Sequence, residues 1–173
     1  RAVDAAITLK TKADIAVHYA GHPADLTTLQ SICDARGLHL IEDAAHALPA
    51  KHAGRTIGGT GNLTAFSFYA TKNLTTGEGG MLTGPADLVD RARTLSLHGM
   101  SRNAWNRYGD SGRWRYDIVE AGFKCNLSDL QSAIGIVQLE RLPELQARRR
   151  AIYNRYNEAF AAAEALETPA WRD

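Results

Sequence analysis

A strand–helix–strand pattern near the start of the chain is the feature that most restricts its fold. Residues 15–19 are an apolar run typical of a buried strand, and a turn containing glycine and proline follows them. Asp25 is suited to cap a helix that runs to about residue 36, with Gly37 just past its end. Residues 38–41 then predict a second strand. Two strands joined by a helix predict a parallel sheet and an α/β fold.

The remainder of the chain continues the alternation of strands and helices. We predict further strands at 63–69 and 79–83, a surface loop at 49–62, and helices at 87–97, 129–142 and 143–165. Residues 99–117 lack periodicity and predict a long loop that contains both basic and aromatic side chains. A chain of 173 residues is long enough to bury a core of its own.

Charge and cysteine content exclude several classes of protein. The chain has 20 basic and 19 acidic residues, which argues against a protein that coats nucleic acid or an anionic membrane. No apolar run is long enough to cross a bilayer, and no signal peptide begins the chain. Two distant cysteines make a disulfide framework improbable and favour a reducing compartment. We therefore expect a cytoplasmic protein, and the absence of an initiator methionine suggests a piece of a longer one.

An acidic residue ends the second predicted strand. Asp43 lies where the carboxyl ends of strands in α/β sheets usually meet a ligand. The small residues Ala44 and Ala45 leave room for a flat ligand, and His46 is placed to hydrogen-bond its edge. The alternative is an aspartate that only caps backbone amides at the start of a loop.

A lysine follows the next predicted strand. Lys72 stands between aromatic residues and a glycine-rich turn, which a solvated lysine does not need. If the two strands are parallel, Asp43, Lys72 and Ser67 emerge at the same edge of the sheet. An amine in a partly apolar site can attack a carbonyl group and form a Schiff base. The alternative is that Lys72 forms a surface salt bridge.

Two other patterns carry no chemistry of their own. The glycine clusters at 58–61 and 77–80 lead into strands rather than helices, so neither is a phosphate-binding loop of the Rossmann or Walker type. His18 and His22 are four residues apart, but Gly21 and Pro23 break any helix that would aim both at one ion. We expect no metal site.

Taken together, the segments resemble a known enzyme family, the DegT/StrS-type sugar aminotransferases, which are pyridoxal-phosphate (PLP) enzymes of the aspartate aminotransferase fold. The matching motifs are EDAAHA at 42–47, GRTIG at 54–58, SFYATKNLTTGEGG at 67–80, LHGM at 97–100, GFKCNLSD at 122–129 and AIGIVQL at 133–139. The resemblance implies a three-layer α/β/α large domain of fold type I with a mostly parallel sheet, present as a fragment. Residues 1–142 would belong to this PLP-binding domain, and 143–173 would form a long helix leading toward a C-terminal small domain.

The resemblance also implies a role for five residues. Lys72 matches the lysine that forms a Schiff base with PLP, and Asp43 matches the acid that pairs with the pyridine nitrogen. His46 matches the residue beside the 3-hydroxyl group of the cofactor, and Ser67 matches a ligand of its phosphate. Asn126 matches a residue that reaches the phosphate of the neighbouring subunit's cofactor, which implies a homodimer with shared active sites.

The activity implied is transfer of an amino group from glutamate to a keto group, at carbon 4, of a nucleotide-linked sugar in polysaccharide or secondary-metabolite biosynthesis. Two alternatives remain open: a PLP-binding relative that regulates rather than transaminates, and a fragment that is inactive alone. A dehydratase on the same scaffold is a third alternative, against which Lys72 argues because we expect such members to lack the lysine.

Overall fold

The computed structural model describes residues 2–101 and 117–169, and these form an α/β fold. The strands are β1 (Ala13–Val17), β2 (His39–Asp43), β3 (Lys51–His52), β4 (Arg55–Thr56), β5 (Leu63–Ser67) and β6 (Gly80–Thr83). The α-helices are α1 (Ala2–Ala6), α2 (Leu26–Arg36), α3 (Ala86–Ser96) and α4 (Asp129–Phe160).

Within the described residues, the main sheet has four strands in the order β1-β2-β5-β6. β1, β2 and β5 are parallel, and β6 pairs with β5 in the antiparallel direction. Val17 lies opposite Asp43, and Asp43 lies opposite Ala65, so β1, β2 and β5 end at one edge of the sheet. The prediction of a mostly parallel sheet is confirmed. The predicted loop at 49–62 contains a short hairpin formed by β3 and β4.

The ends of α2 follow from local hydrogen bonding. The Asp25 side chain accepts a hydrogen bond from the backbone N–H of Thr28 at 3.1 Å, and Gly37 adopts a left-handed conformation with φ of 63°. Hydrogen bonds from Thr28 also lower the pKa of Asp25, because they favour the charged carboxylate. Both predicted ends of this helix are therefore confirmed.

The hydrophobic core lies between α2 and the first two strands. Its buried members are Ala16, Leu26, Cys33, Leu40, Ala44, Ala47 and Ile57. Leu40 projects from β2 into this cluster and is 5% exposed, whereas Leu9 is fully exposed. The two leucines therefore differ in their surroundings: Leu40 is packed in the core, and Leu9 is in solvent.

We expect Leu40→Ala to lower the free energy of unfolding by about 2–5 kcal/mol, because it removes buried apolar atoms and leaves a cavity. Leu9→Ala is the matched control and should change it by less than about 0.5 kcal/mol. Denaturant unfolding of both variants measures the difference. Equal effects of the two substitutions would contradict this placement of the core.

The long C-terminal helix differs from the prediction of two helices that meet at Pro143. α4 is continuous from Asp129 to Phe160 and contains Pro143. Proline removes one backbone hydrogen-bond donor, but the other turns of the helix keep their donors. Leu142, the residue before Pro143, is buried. At the other end, Ser128 and Gln131 form a capping box.

Most of the long loop predicted at 99–117, with its basic and aromatic side chains, lies outside the described residues. In the part of the chain that the structure describes, no helix combines the length and the apolar character needed to cross a membrane.

Candidate functional site

The predicted site residues follow the carboxyl ends of β2 and β5. Asp43 is the last residue of β2, and Ser67 is the last residue of β5. The two parallel strands are hydrogen-bonded neighbours, and the backbone N–H of Ala44 donates to the carbonyl of Ala65 at 2.8 Å. Both side chains therefore lie at the same edge of the sheet, as the sequence predicts.

The Asp43 carboxylate is half-buried and uses one oxygen locally. Its Oδ1 accepts a hydrogen bond from the backbone N–H of Ala45 at 3.0 Å. Among the described residues, no donor reaches its Oδ2. The aspartate therefore caps a backbone amide, as the simpler interpretation requires, and also presents a second oxygen that could hold a ligand.

Lys72 lies in a tight loop after β5 that is fixed at both ends. Its N–H donates to the carbonyl of Tyr69 at 3.0 Å, and Thr76 N–H donates to the carbonyl of Phe68 at 2.9 Å. The side chain is half-buried. Within residues 2–101 and 117–169, no carboxylate forms an ion pair with it. The surface salt-bridge alternative therefore has no support in the described part of the chain.

A side-chain hydrogen bond joins the lysine loop to the loop that follows Asp43. Asn73, the residue after Lys72, donates from Nδ2 to the carbonyl of Leu48 at 2.8 Å. Leu48 lies two residues beyond His46. This contact holds the chain segments that carry the amine and the imidazole next to each other.

Helix α4 supports the other side of the lysine loop. Gln131 donates from Nε2 to the carbonyl of Glu78 at 2.8 Å, and Arg149 donates to the carbonyl of Asn73 at 3.4 Å. Gly79 packs so closely here that a Cβ atom would collide with the side chains of Thr76 and Leu127. The glycine cluster at 77–80 therefore permits close packing and leads into β6, in agreement with its interpretation as a turn.

His46 is exposed and oriented by a turn that follows β1. Its Nδ1 accepts a hydrogen bond from the backbone N–H of Ala20 at 3.3 Å, and the Tyr19 ring meets it edge-on with 6.0 Å between ring centroids. Because Nδ1 is an acceptor, the proton of the neutral ring is on Nε2. His46 thus offers an N–H donor to a ligand.

The two remaining predicted residues differ in their surroundings. Ser67 Oγ accepts a hydrogen bond from the N–H of Tyr69 at 3.3 Å, and its own hydrogen can be donated to another acceptor. Asn126 Oδ1 accepts a hydrogen bond from Lys124 Nζ at 2.5 Å, just before α4. In the described residues, no hydrogen bond joins Asn126 to the other four, and its role toward a neighbouring subunit stays a prediction.

A buried polar pair that is not evident from the sequence lies beside Asp43. The side chains of His18 and Glu42 are fully buried, with 3.0 Å between Nε2 and Oε2. Burial raises the pKa of Glu42, but hydrogen bonds from His18, Thr60 and Asn62 outweigh it and hold the pKa below its usual value. One feature of the sequence does point to the burial of Glu42. Side chains alternate along a strand, so Glu42 and Asp43 point to opposite faces of the sheet.

The donor set suits a flat cofactor that has a basic ring nitrogen, a carbonyl group and an anionic group. Asp43 Oδ2 can accept from a protonated ring nitrogen, and Lys72 Nζ can react with a carbonyl carbon. His46 and Ser67 supply donors for oxygen atoms. These groups match PLP in chemistry, and the residues present therefore fit this cofactor.

Comparison with known proteins agrees with this chemistry. Residues 1–173 match the model of the DegT/DnrJ/EryC1/StrS aminotransferase family. The chain is 49% identical over 168 residues to the uncharacterized protein MJ1066 of Methanocaldococcus jannaschii. It is also 49% identical, over 168 residues, to the spore coat polysaccharide biosynthesis protein SpsC of Bacillus subtilis. Each alignment covers 96% of this chain but only 44% and 43% of the relatives, so the chain spans less than half of their length.

A solved structure shows the same fold. A Streptococcus pneumoniae protein assigned as a sugar aminotransferase, Spr1654, superposes in its PMP form with a TM-score of 0.86 and 32% identity, over 99% of this chain and 46% of that one. The same protein has been solved in a PLP form. Aminotransferases of this family are PLP-dependent. The predicted fold type and the predicted cofactor are thereby confirmed.

Proposed function

Because the chain belongs to the DegT/DnrJ/EryC1/StrS aminotransferase family, we propose that it forms the cofactor-binding core of a PLP-dependent sugar aminotransferase. The proposed amino donor is glutamate, and the proposed acceptor is a keto group at carbon 4 of a nucleotide-linked sugar. SpsC is named for polysaccharide biosynthesis, which supports a sugar acceptor. Residues 1–142 would belong to the large domain, and residues 143–173, which include the second half of α4, would lead to a small domain.

One observation carries this proposal. Asp43 and Ser67 end neighbouring parallel strands, and the hydrogen bond from Asn73 to Leu48 holds the Lys72 loop against the segment that follows Asp43. The acid therefore shares one edge of the sheet with the hydroxyl group of a segment more than 20 residues further along the chain, and the loop that carries the amine is held beside it.

Asp43 would hold the cofactor through its ring nitrogen. When bound, PLP supplies an electron-accepting ring that stabilises a carbanion at the substrate carbon. An ionised Asp43 keeps a proton on the ring nitrogen, since a nearby opposite charge favours the protonated form. Ala45, which is partly exposed beside Asp43, leaves space for the ring because its side chain is small. Ala44, which the sequence also placed next to the ligand, is instead buried in the hydrophobic core.

Lys72 would bind the cofactor covalently and later move a proton. After a substrate amine takes its place, the freed Nζ can remove a proton from the substrate carbon as a general base. Nζ would then hold that proton as an ammonium group and serve as the general acid that gives it back. Backbone hydrogen bonds of the tight loop fix the main chain at Lys72, from which the side chain extends.

The other three residues would orient the cofactor. We assign the Nε2–H of His46 to the 3-oxygen of PLP and the Ser67 hydroxyl to its phosphate. Asn126 would contact the phosphate bound by the neighbouring subunit of a homodimer.

Addition of glutamate to the PLP-loaded, full-length protein tests the proposal. We expect the visible absorbance of lysine-bound PLP to disappear in a single turnover, because the amino group passes to the cofactor. A nucleotide-linked keto-sugar should restore the band, and a panel of such sugars would identify the acceptor. A visible band that glutamate leaves unchanged would favour the PLP-binding relative that does not transaminate.

A further inference from the structure

A cluster of four hydrogen-bonded side chains, two fully buried and two partly buried, lies at the end of β2. We call it the Glu42 cluster, and its members are His18, Glu42, Thr60 and Asn62. Oε1 of Glu42 accepts hydrogen bonds from Thr60 Oγ1 at 2.5 Å and from Asn62 Nδ2 at 2.9 Å. Oε2 lies 3.0 Å from His18 Nε2. These bonds connect the ends of β1 and β2 with the loop that precedes β5.

Hydrogen bonding determines the charge state of the cluster. His18 Nδ1 accepts from the backbone N–H of Ala24 at 3.0 Å, so the ring proton is on Nε2 and is donated to Glu42. Glu42 receives three donors and is therefore held as a carboxylate. A buried carboxylate is tolerated only when it is hydrogen-bonded in this way.

The cluster is connected to both Asp43 and His46. The backbone N–H of His18 donates to the carbonyl of Asp43 at 3.0 Å, while its ring binds the adjacent Glu42. The bond from Ala24 to the His18 ring also closes the turn that contains Ala20, whose N–H binds the His46 ring. The backbone of His18 therefore binds the backbone of Asp43, while its ring connects the adjacent Glu42 with the turn that orients the imidazole.

We propose that Glu42 and His18 are positioning residues, which set the placement of Asp43 and His46 against the cofactor ring. This inference rests on the proposed function. Stability alone does not require these polar groups, because replacing both partners of a buried hydrogen bond by apolar groups of the same shape can be nearly neutral. An apolar replacement would not reproduce the hydrogen bonds that hold the end of β2 in place.

Glu42→Gln in the PLP-loaded, full-length protein is the principal test. An amide nitrogen cannot accept a hydrogen bond, so at least one of the three donors must turn away and the strand end shifts. We expect kcat to fall about tenfold, and the spectrum of bound PLP to shift in the direction produced by Asp43→Asn. Glu140→Gln, at an exposed glutamate of α4, is the matched control and should leave both unchanged.

A double-mutant cycle separates positioning from a purely structural role. If Glu42 acts through Asp43, Glu42→Gln should change kcat less than about twofold in the Asp43→Asn background. The inference is overturned if Glu42→Gln lowers kcat by the same factor in both backgrounds, or lowers thermal stability and leaves the spectrum unchanged.

Thr60→Val supplies the same test if Glu42→Gln does not fold. It removes one donor to the carboxylate and preserves the shape of the side chain, so we expect a fall in kcat of about threefold with the same spectral direction. No change in either quantity would overturn the inference. Failure of the proposed function is a separate result: the wild-type protein would then bind no PLP at Lys72.

Discussion

Lys72→Ala is expected to abolish covalent attachment of PLP and to eliminate transamination. Borohydride reduction of the wild-type protein should fix the cofactor on Lys72, and peptide mass spectrometry should locate the label there. In the variant no label should form, because alanine has no amine to react with the carbonyl of PLP. We expect turnover to fall by about 10³-fold or more, since the proton-transferring group is lost as well.

Lys51→Ala is the matched control for this prediction. Lys51 is exposed on β3 and lies outside the edge formed by β2 and β5. Its substitution should leave labelling and turnover unchanged. Borohydride labelling of another lysine in the wild-type protein would contradict the assignment of Lys72.

Asp43→Asn should slow turnover far more than it weakens cofactor binding. Asparagine can still accept a hydrogen bond from Ala45, so the local turn should persist. It carries no negative charge, however, and a protonated ring nitrogen is no longer stabilised. We expect kcat to fall by about 10²–10⁴-fold, while the dissociation constant of PLP rises by less than about tenfold.

Absorbance titration with PLP and steady-state kinetics measure the two quantities separately. Asp34→Asn is a suitable control, because Asp34 is exposed on α2 and accepts from Gln30, which an asparagine can also do. Equal turnover of the Asp43→Asn and wild-type proteins would exclude the proposed role of the acid. Equal losses of affinity and turnover would indicate that Asp43 serves binding alone.

Elements governed by neighbouring residues could be predicted from the sequence. The limits of α2 follow from Asp25 at its start and Gly37 at its end, each acting within one turn of the helix. Strands β2, β5 and β6 lie within a few residues of their predicted positions, because their apolar runs are short and bounded by polar or glycine residues. The continuity of α4 was missed because proline normally interrupts a helix, and tertiary contacts stabilise this one.

Some residues of the candidate site could likewise be predicted from the sequence, whereas the contacts that hold them together could not. Asp43, Ser67 and Lys72 could be found from their places after predicted strands, since parallel strands bring their ends to one edge. The hydrogen bond between Asn73 and Leu48 could not be predicted, because it joins residues 25 positions apart through a side chain and a loop carbonyl. The hydrogen-bond partners of Glu42 could not be predicted either. Periodicity in a single sequence shows that a side chain is buried, but not which side chains contact it.

By itself, the sequence determined the strands of the main sheet, the limits of α2 and the reactive side chains that stand at the strand ends. Capping, turn formation and hydrophobic alternation are short-range effects, and their residues are adjacent in the chain. Only the tertiary structure decided that β5 pairs with β2, that the Lys72 loop lies against Leu48, and that His18 holds Glu42. Those arrangements depend on hydrogen bonds between distant segments, which form only when packing of the whole domain brings the segments together.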